Sequence, residues 1–144
     1  MKYEYDFPMA SLATDIFVYH ENKVLLIKRG GEPYKGCYAL PGGFVEIANE
    51  TFQQAAQREL KEETNLDIPL DRFEFVTLLD NPYRDSRGRV VSAVFSCQLT
   101  DDELYYAVAG DDAASVEWID NKDIVNGKIS LAFDHMLVFE KMKD

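Results

Sequence analysis

Cysteine is nearly absent from the 144-residue sequence: Cys37 and Cys97 stand 60 positions apart, with no histidine near either. That spacing excludes a finger-type zinc site and a disulfide framework, and the expectation is two buried free thiols. No apolar run approaches the roughly 20 residues that cross a bilayer, so no membrane partner is expected. The start, Met1-Lys2-Tyr3-Glu4-Tyr5-Asp6, carries acids where a secretory leader would be basic and then apolar. A cytoplasmic protein is the expectation. Positive charge is also scarce. With 15 Lys and Arg against 26 Asp and Glu, the net charge of −11 excludes a non-specific nucleic-acid binder, which needs a basic surface to displace counterions. An acidic chain can still bind phosphates, provided a divalent cation or a few placed arginines offset the like charge.

What is present is the balance of a globular protein, 47% hydrophobic and 28% charged, in a length that suits one domain over 1–144. Ala13–Tyr19 and Val24–Ile27 read as strands around the polar turn His20-Glu21-Asn22-Lys23, hence a hairpin. Arg29–Gly36 is a loop by its Gly and Pro content. Tyr38-Ala39-Leu40 is short and ends at Pro41-Gly42-Gly43, a break where main chain can approach a ligand closely. Phe73–Leu79, Val90–Leu99 and Ala114–Ile119 read as further strands, and the turn-rich segment 80–89 joins the first two. Ser130–Met142 reads as a C-terminal helix. Many strands with two helices imply an α/β fold, a mixed β-sheet flanked by helices.

The other helix, Phe52–Thr64, opens on the capping-box pair Thr51 and Gln54 and stops at Asn65, suited to a left-handed cap. At about 100° per residue from Phe52, Ala56 lies at about 40°, Leu60 at about 80° and Ala55 at about 300°, which defines an apolar stripe. Glu63 at about 20° and Glu59 at about 340° fall inside it, and Glu62 at about 280° on its edge. Gln53, Gln54, Gln57, Lys61 and Thr64 face away. A solvated charged face would place Glu59 and Glu63 the other way round. Two inward carboxylates four residues apart repel each other and are costly to desolvate, and a bound divalent cation removes both problems. Arg58, beside Glu59 and four residues before Glu62, is expected to orient a carboxylate and keep it ionised. The alternative is a surface ion pair contributing at most about 1 kcal/mol.

These residues resemble the Nudix hydrolase signature: Gly43, then Glu50, seven residues, and Arg58-Glu59-Leu60-Lys61-Glu62-Glu63-Thr64-Asn65-Leu66. Two departures stand out. Six residues rather than five separate Gly43 from Glu50, and Asn65 replaces the family's glycine. The likeness continues through 31–46, 81–92, 110–114 and 131–135, segments similar to the ADP-ribose pyrophosphatase branch. Nudix-derived transcriptional regulators share these segments and carry a winged-helix domain afterwards. This chain ends at Asp144 with no room for one, and the intact set of box glutamates argues for an enzyme over a non-catalytic sensor.

The resemblance implies a Nudix-type α/β/α sandwich and Mg²⁺ or Mn²⁺ held by Glu59, Glu62, Glu63 and the Gly43 carbonyl. It also implies hydrolysis of a nucleoside diphosphate derivative, ADP-ribose to AMP and ribose 5-phosphate first among them. Nucleoside triphosphates, other nucleotide sugars and a non-catalytic ADP-ribose sensor remain alternatives. The catalytic candidates are Arg58, as an orienting group, and Glu62, Asp111 and Asp112 as general base. A plain loop turn is the alternative reading of Asp111-Asp112. Substrate contacts are expected from Arg84, Arg87 and Arg89, whose forked guanidiniums suit phosphates. Strand alternation would put Arg87 and Arg89 on one face. Tyr34 or Tyr3 could stack on adenine. Glu50 is expected to support the loop–helix junction, and His135 to be a structural hydrogen-bonding residue. The partner is a small-molecule nucleotide. Dimers are common in this branch, which leaves a homodimer as an open expectation.

Overall fold

The computed structural model describes residues 4–107 and 113–143. Strands β1 (Ser11–His20) and β2 (Lys23–Arg29) form the expected hairpin, but it is brief, with pairs only at Tyr19↔Val24 and His20↔Lys23. Beyond these the two strands part. The short strand β3 (Tyr38–Ala39) pairs with β2, and β4 (Gly42–Phe44) pairs with β1, so residues 38–44 bridge the fork. Helix α1 (Phe52–Thr64) follows, then β5 (Glu74–Leu79), β6 (Val90–Gln98) and β7 (Ala113–Asp120). Two short helices, α2 (Asn121–Val125) and α3 (Met136–Lys141), complete the chain.

The seven strands make one mixed sheet with the path β3-β2-β1-β6-β5. The parallel pair is β1 with β6, in register from Ser11↔Val90 to Tyr19↔Gln98, while β7 lies antiparallel along β2. Successive side chains of a strand point to opposite faces. In β1, Ile16 and Val18 accordingly pack with Leu25, Ala56 and Leu60 under α1. Phe17 packs with Leu26, Ile124 and Phe139 beneath α2 and α3. A sheet buried on both faces by helices is the expected α/β/α sandwich.

Helix α1 has the boundaries that the caps predict. The Thr51 hydroxyl accepts from Gln54 N, the Gln54 side chain accepts from Thr51 N, and Asn65 takes φ 64° at the C-terminal end. Its outer face differs from the expectation. Thr64 is fully buried, its hydroxyl donating to the Leu60 carbonyl at 2.6 Å. The Gln53 amide donates to the carbonyls of Leu70 and Phe73, and that of Gln57 to Ile68. The returning segment 66–73 covers this face, and the glutamines satisfy its backbone acceptors.

The C-terminal helix is much shorter than Ser130–Met142. Residues 130–132 run beside β3 instead, with Tyr38 N donating to Ser130 O and Ala132 N to Tyr38 O. Phe133 then takes φ 52°, a left-handed conformation that an α-helix excludes. The segment before β6 is a turn rather than a strand, so alternation does not govern Arg87 and Arg89. Cys97 is buried, and burial pushes its thiol up to about 11, whereas Cys37 is only half-buried. No helix among the described residues is long and apolar enough to cross a membrane.

Arg72 clamps Glu103 through two bonds of 2.7 Å, tying the turn after α1 to the one after β6. The guanidinium holds the Glu103 carboxyl down at about 2, against an ordinary 4.5. A depressed carboxyl stabilises the fold above its unfolded value and loses that contribution as pH falls through its folded one. Glu103→Gln is therefore expected to lower the urea midpoint at pH 7. The gap to wild type should shrink between about pH 4.5 and pH 2.

Candidate active site

A cavity of about 810 Å³ opens in the fork between β1 and β2. Its wall includes Ala13–Asp15 from β1, Ile27 and Arg29 from β2, Gly42–Phe44 from β4, and Glu59 and Glu63 from α1. Arg84, Asp85 and Arg87 enter from the turn before β6, and Phe133 and His135 from the segment before α3.

The two glycines of β4 set how closely the helix can approach. A β-carbon on Gly43 would sit 2.5 to 2.6 Å from the Glu59 carboxylate, and one on Gly42 would overlap the Thr14 carbonyl and the Asp15 carboxylate. Gly42 N donates to Glu63 Oε2 at 3.2 Å. Glu59 and Glu63 thus meet the backbone of β4 at the cavity wall. Glu62 does not line the cavity; it is half-exposed and takes one bond from Arg58 at 3.0 Å.

Arg58 is the hub of the acidic helix, but its main partner is Glu50. Nε and Nη2 reach the two Glu50 oxygens at 2.5 and 2.9 Å, and Nη1 reaches Glu59 at 2.8 Å. Nη2 also donates to the Phe44 carbonyl, so one guanidinium joins α1, its entry loop and β4. Glu50 accepts from Glu46 N as well and is held ionised, mainly by Arg58, in keeping with its expected place at the loop–helix junction. Glu59 departs from the expectation. Burial pushes its carboxyl up, and the bond from Arg58 does not outweigh that. What it lacks is a further positive charge.

A buried polar group lies across the cavity. Asp15 accepts from Ser92 Oγ at 2.6 Å and stands 3.5 Å from His135 Nε2. Burial pushes its carboxyl up, but His135, Ser92 and Arg84 together bring it below the ordinary range. Leu40 N donates to His135 Nδ1, so this histidine ties β3 to the segment before α3, the structural role expected of it. Arg84 is buried on Asp134, with Nε and Nη2 bonds of 2.9 to 3.1 Å. Arg87 lies on Asp85 at 2.7 Å and stacks near Phe44 and Phe133.

Of the expected substrate residues, Arg84 and Arg87 line the cavity. Arg89 does not; it is exposed and donates to the Asp80 carbonyl. Tyr34 is not in the wall either, and its ring packs 4.8 Å from that of Phe133. Asp111, Asp112 and Tyr3 lie outside the described residues. Asp15, Arg29 and Phe133 entered the site without being expected. Asp15 meets Ser92 and Arg29 meets the Phe133 ring only through distant parts of the chain, and no local motif marks these residues. Among the described residues, the one set of three ligand atoms within 4.8 Å of each other is His20, Glu21 and Asp101, at the surface and outside the cavity wall.

A profile of the NUDIX domain matches residues 9–138. The chain belongs to the NUDIX family. It is 46% identical over 125 residues to the ADP-ribose pyrophosphatase of Methanocaldococcus jannaschii, covering 87% of this chain and 68% of that protein. The NUDIX domain of Shewanella oneidensis NrtR, solved with ADP ribose, superposes with a TM-score of 0.83 at 26% identity, covering 95% of this chain and 88% of that one. NrtR was also solved with a 27mer DNA, and the chain spans 59% of that structure. A bifunctional NMN adenylyltransferase/ADP ribose pyrophosphatase of Francisella tularensis, solved with AMP and a Mn ion, matches at TM-score 0.81 and 31% identity. The match covers 94% of this chain and 42% of that one.

Gly43→Ala tests the close approach that defines this NUDIX site. The added methyl is expected to displace the Glu59 carboxylate and cost about 1–3 kcal/mol of stability. Any divalent-cation affinity, read by calorimetry, should fall at least about tenfold while the far-UV spectrum stays unchanged.

Proposed function

We propose that residues 1–144 form one NUDIX unit that hydrolyses ADP-ribose to AMP and ribose 5-phosphate, using Mg²⁺ or Mn²⁺. The observation that carries this is the seating of Glu59 and Glu63 on the Gly42–Gly43 backbone at the wall of a cavity of about 810 Å³. The donor set fits a hard divalent cation, which takes carboxylate and carbonyl oxygens. The charge balance fits too. Six carboxylates against four guanidiniums line the cavity, so it would repel a bare diphosphate, and one divalent cation brings the lining to neutrality. The 46% identity to an ADP-ribose pyrophosphatase supports this substrate.

A divalent ion bound there supplies charge neutralisation and Lewis-acid polarisation of the diphosphate. The chain's own residues do the rest. Arg58 ties Glu59 and Glu62 to Glu50, and Gly42 N holds Glu63. Arg84 and Arg87 sit in the wall where diphosphate oxygens can reach them, each held by its own carboxylate. In the net reaction water adds across the P–O–P anhydride, one phosphorus taking the hydroxyl and the leaving phosphate oxygen the proton.

The net charge of −11 supports a small-molecule nucleotide rather than nucleic acid as partner. A homodimer would have the free edge of β5 to use, where Phe75 and Leu78 are exposed. A second reading, a sensor that binds ADP-ribose without cleaving it, has the likeness to NrtR in its favour. The complete set of acidic residues on α1 favours the enzyme.

Chromatography of products from a nucleotide panel with Mg²⁺ separates the two. AMP released from ADP-ribose, and reduced at least about a hundredfold by Glu63→Gln, is the expected result. Tight ADP-ribose binding with no turnover of any panel member would leave the sensor.

A further inference from the structure

Phe133 and His135 line the cavity, while Asp134 between them does not. Asp134 reaches Arg84 instead, a wall residue 50 positions earlier whose side chain is only 4% exposed. Arg84 Nε donates to both carboxylate oxygens at 3.0 and 3.1 Å, and Nη2 donates to Oδ1 at 2.9 Å. A guanidinium carries five N–H donors in one plane, and a carboxylate on its Nε–Nη2 edge takes only part of them. The contact fixes the plane of the fork without using up its donors.

Asp134 is itself pinned from both sides. Before it, Ala132 is fully buried and its N donates to Tyr38 O at 2.7 Å, which ties the segment to β3. Phe133 takes φ 52° and packs its ring 4.8 Å from that of Tyr34. Left-handed backbone at an aromatic residue persists only where the surroundings enforce it. After it, His135 is buried and accepts from Leu40 N on Nδ1 at 3.1 Å, so Nε2 carries the proton and points it at Asp15, 3.5 Å away. A short side chain between two anchored neighbours has little freedom to follow a moving guanidinium.

Other acids compete for that guanidinium. Asp15 and Asp85 both lie in the cavity wall, and the Arg84 charge helps to hold both carboxyls down. Released from Asp134, the fork would be drawn onto these acids and away from a ligand. Stability alone does not account for the pair, since a buried ion pair replaced on both sides by well-packed apolar residues often loses nothing.

We propose that Asp134 is a positioning residue for phosphate binding: from outside the cavity wall it holds the Arg84 fork off Asp15 and Asp85 and presents it to the nucleotide. The inference rests on reading the cavity as a nucleotide site.

The test is a double-mutant cycle of Arg84→Gln and Asp134→Asn, with Asp134→Glu beside it. Each protein is titrated by calorimetry with AMP and with ribose 5-phosphate in Mg²⁺, and steady-state hydrolysis of ADP-ribose is measured alongside. Arg84→Gln is expected to weaken at least one of the two phosphates about tenfold or more. Asp134→Asn should weaken the same one about threefold to tenfold, with KM for ADP-ribose rising more than kcat falls. On the Arg84→Gln background, Asp134→Asn should change affinity less than about twofold, because the group it positions is gone. Asp134→Glu keeps the charge, is expected to recover part of the loss, and carries the test if Asp134→Asn does not fold. Unchanged affinity in every Asp134 variant, or losses that add in the double variant, overturns the assignment. So does Arg84→Gln binding both phosphates as wild type does, or a wild type that binds neither. A non-additive cycle in a protein that never cleaves ADP-ribose sinks the pyrophosphatase and leaves the positioning role standing.

Discussion

At Gly42 and Gly43 the chain passes between β1 and α1 with no room for a β-carbon, and the site is assembled around that passage. Gly42 lies against the Thr14 carbonyl and the Asp15 carboxylate, and Gly43 against the carboxylate of Glu59. Any side chain there would push α1 off the sheet or turn Glu59 away. Glycine's usual conformational freedom is not the point at these two positions; the absence of bulk is. Further contacts fix the passage from both sides: Ile16 N to Pro41 O, Leu40 N to His135 Nδ1, and Arg58 to the Phe44 carbonyl.

The fork in the sheet creates the space that the glycines border. Because β1 leaves β2 after two pairs to run parallel with β6, β2 takes β7 along its outer edge and β3 along its inner one. The cavity then collects side chains from opposite limbs: Arg58, Glu59 and Glu63 from α1, Arg29 from β2, and Arg84, Asp85 and Arg87 from the turn before β6. Buried charge is tolerable only in pairs. Most of the site obeys this through Arg58 with Glu50, Arg84 with Asp134 and Arg87 with Asp85. Glu59 stays unbalanced, its carboxyl pushed up by burial. A divalent cation is its natural complement.

The α1 helix was legible in the sequence because everything that defines it is local. The capping box, the left-handed stop at Asn65 and the inward placement of Glu59 and Glu63 follow from spacings of three and four residues. Most strands were legible through their β-branched, aromatic and apolar runs, but β4 reads in sequence only as the glycine break at Pro41-Gly42-Gly43. The sandwich and the family followed from these elements and from the order of the motif. The outer face of the helix was misjudged, since Thr64 and the glutamines depend on a segment that returns over them. So was the C-terminal helix, whose early residues were captured by β3.

By itself, then, the sequence determined the acidic helix, its facing carboxylates, the glycine break before it and the family to which they belong. The tertiary structure alone decided which cations matter. Arg84, Arg87 and Arg89 look alike on one turn, but Asp134, 50 positions away, claims the first, Asp85 the second, and the third stays outside the cavity. Arg29 looks like a loop residue until the splaying of β1 and β2 opens the cavity beside it and Phe133 closes on its guanidinium. Periodicity reports only what a residue meets within one or two turns. Which charge meets which partner is a statement about every neighbour in space, and only the folded chain can make it.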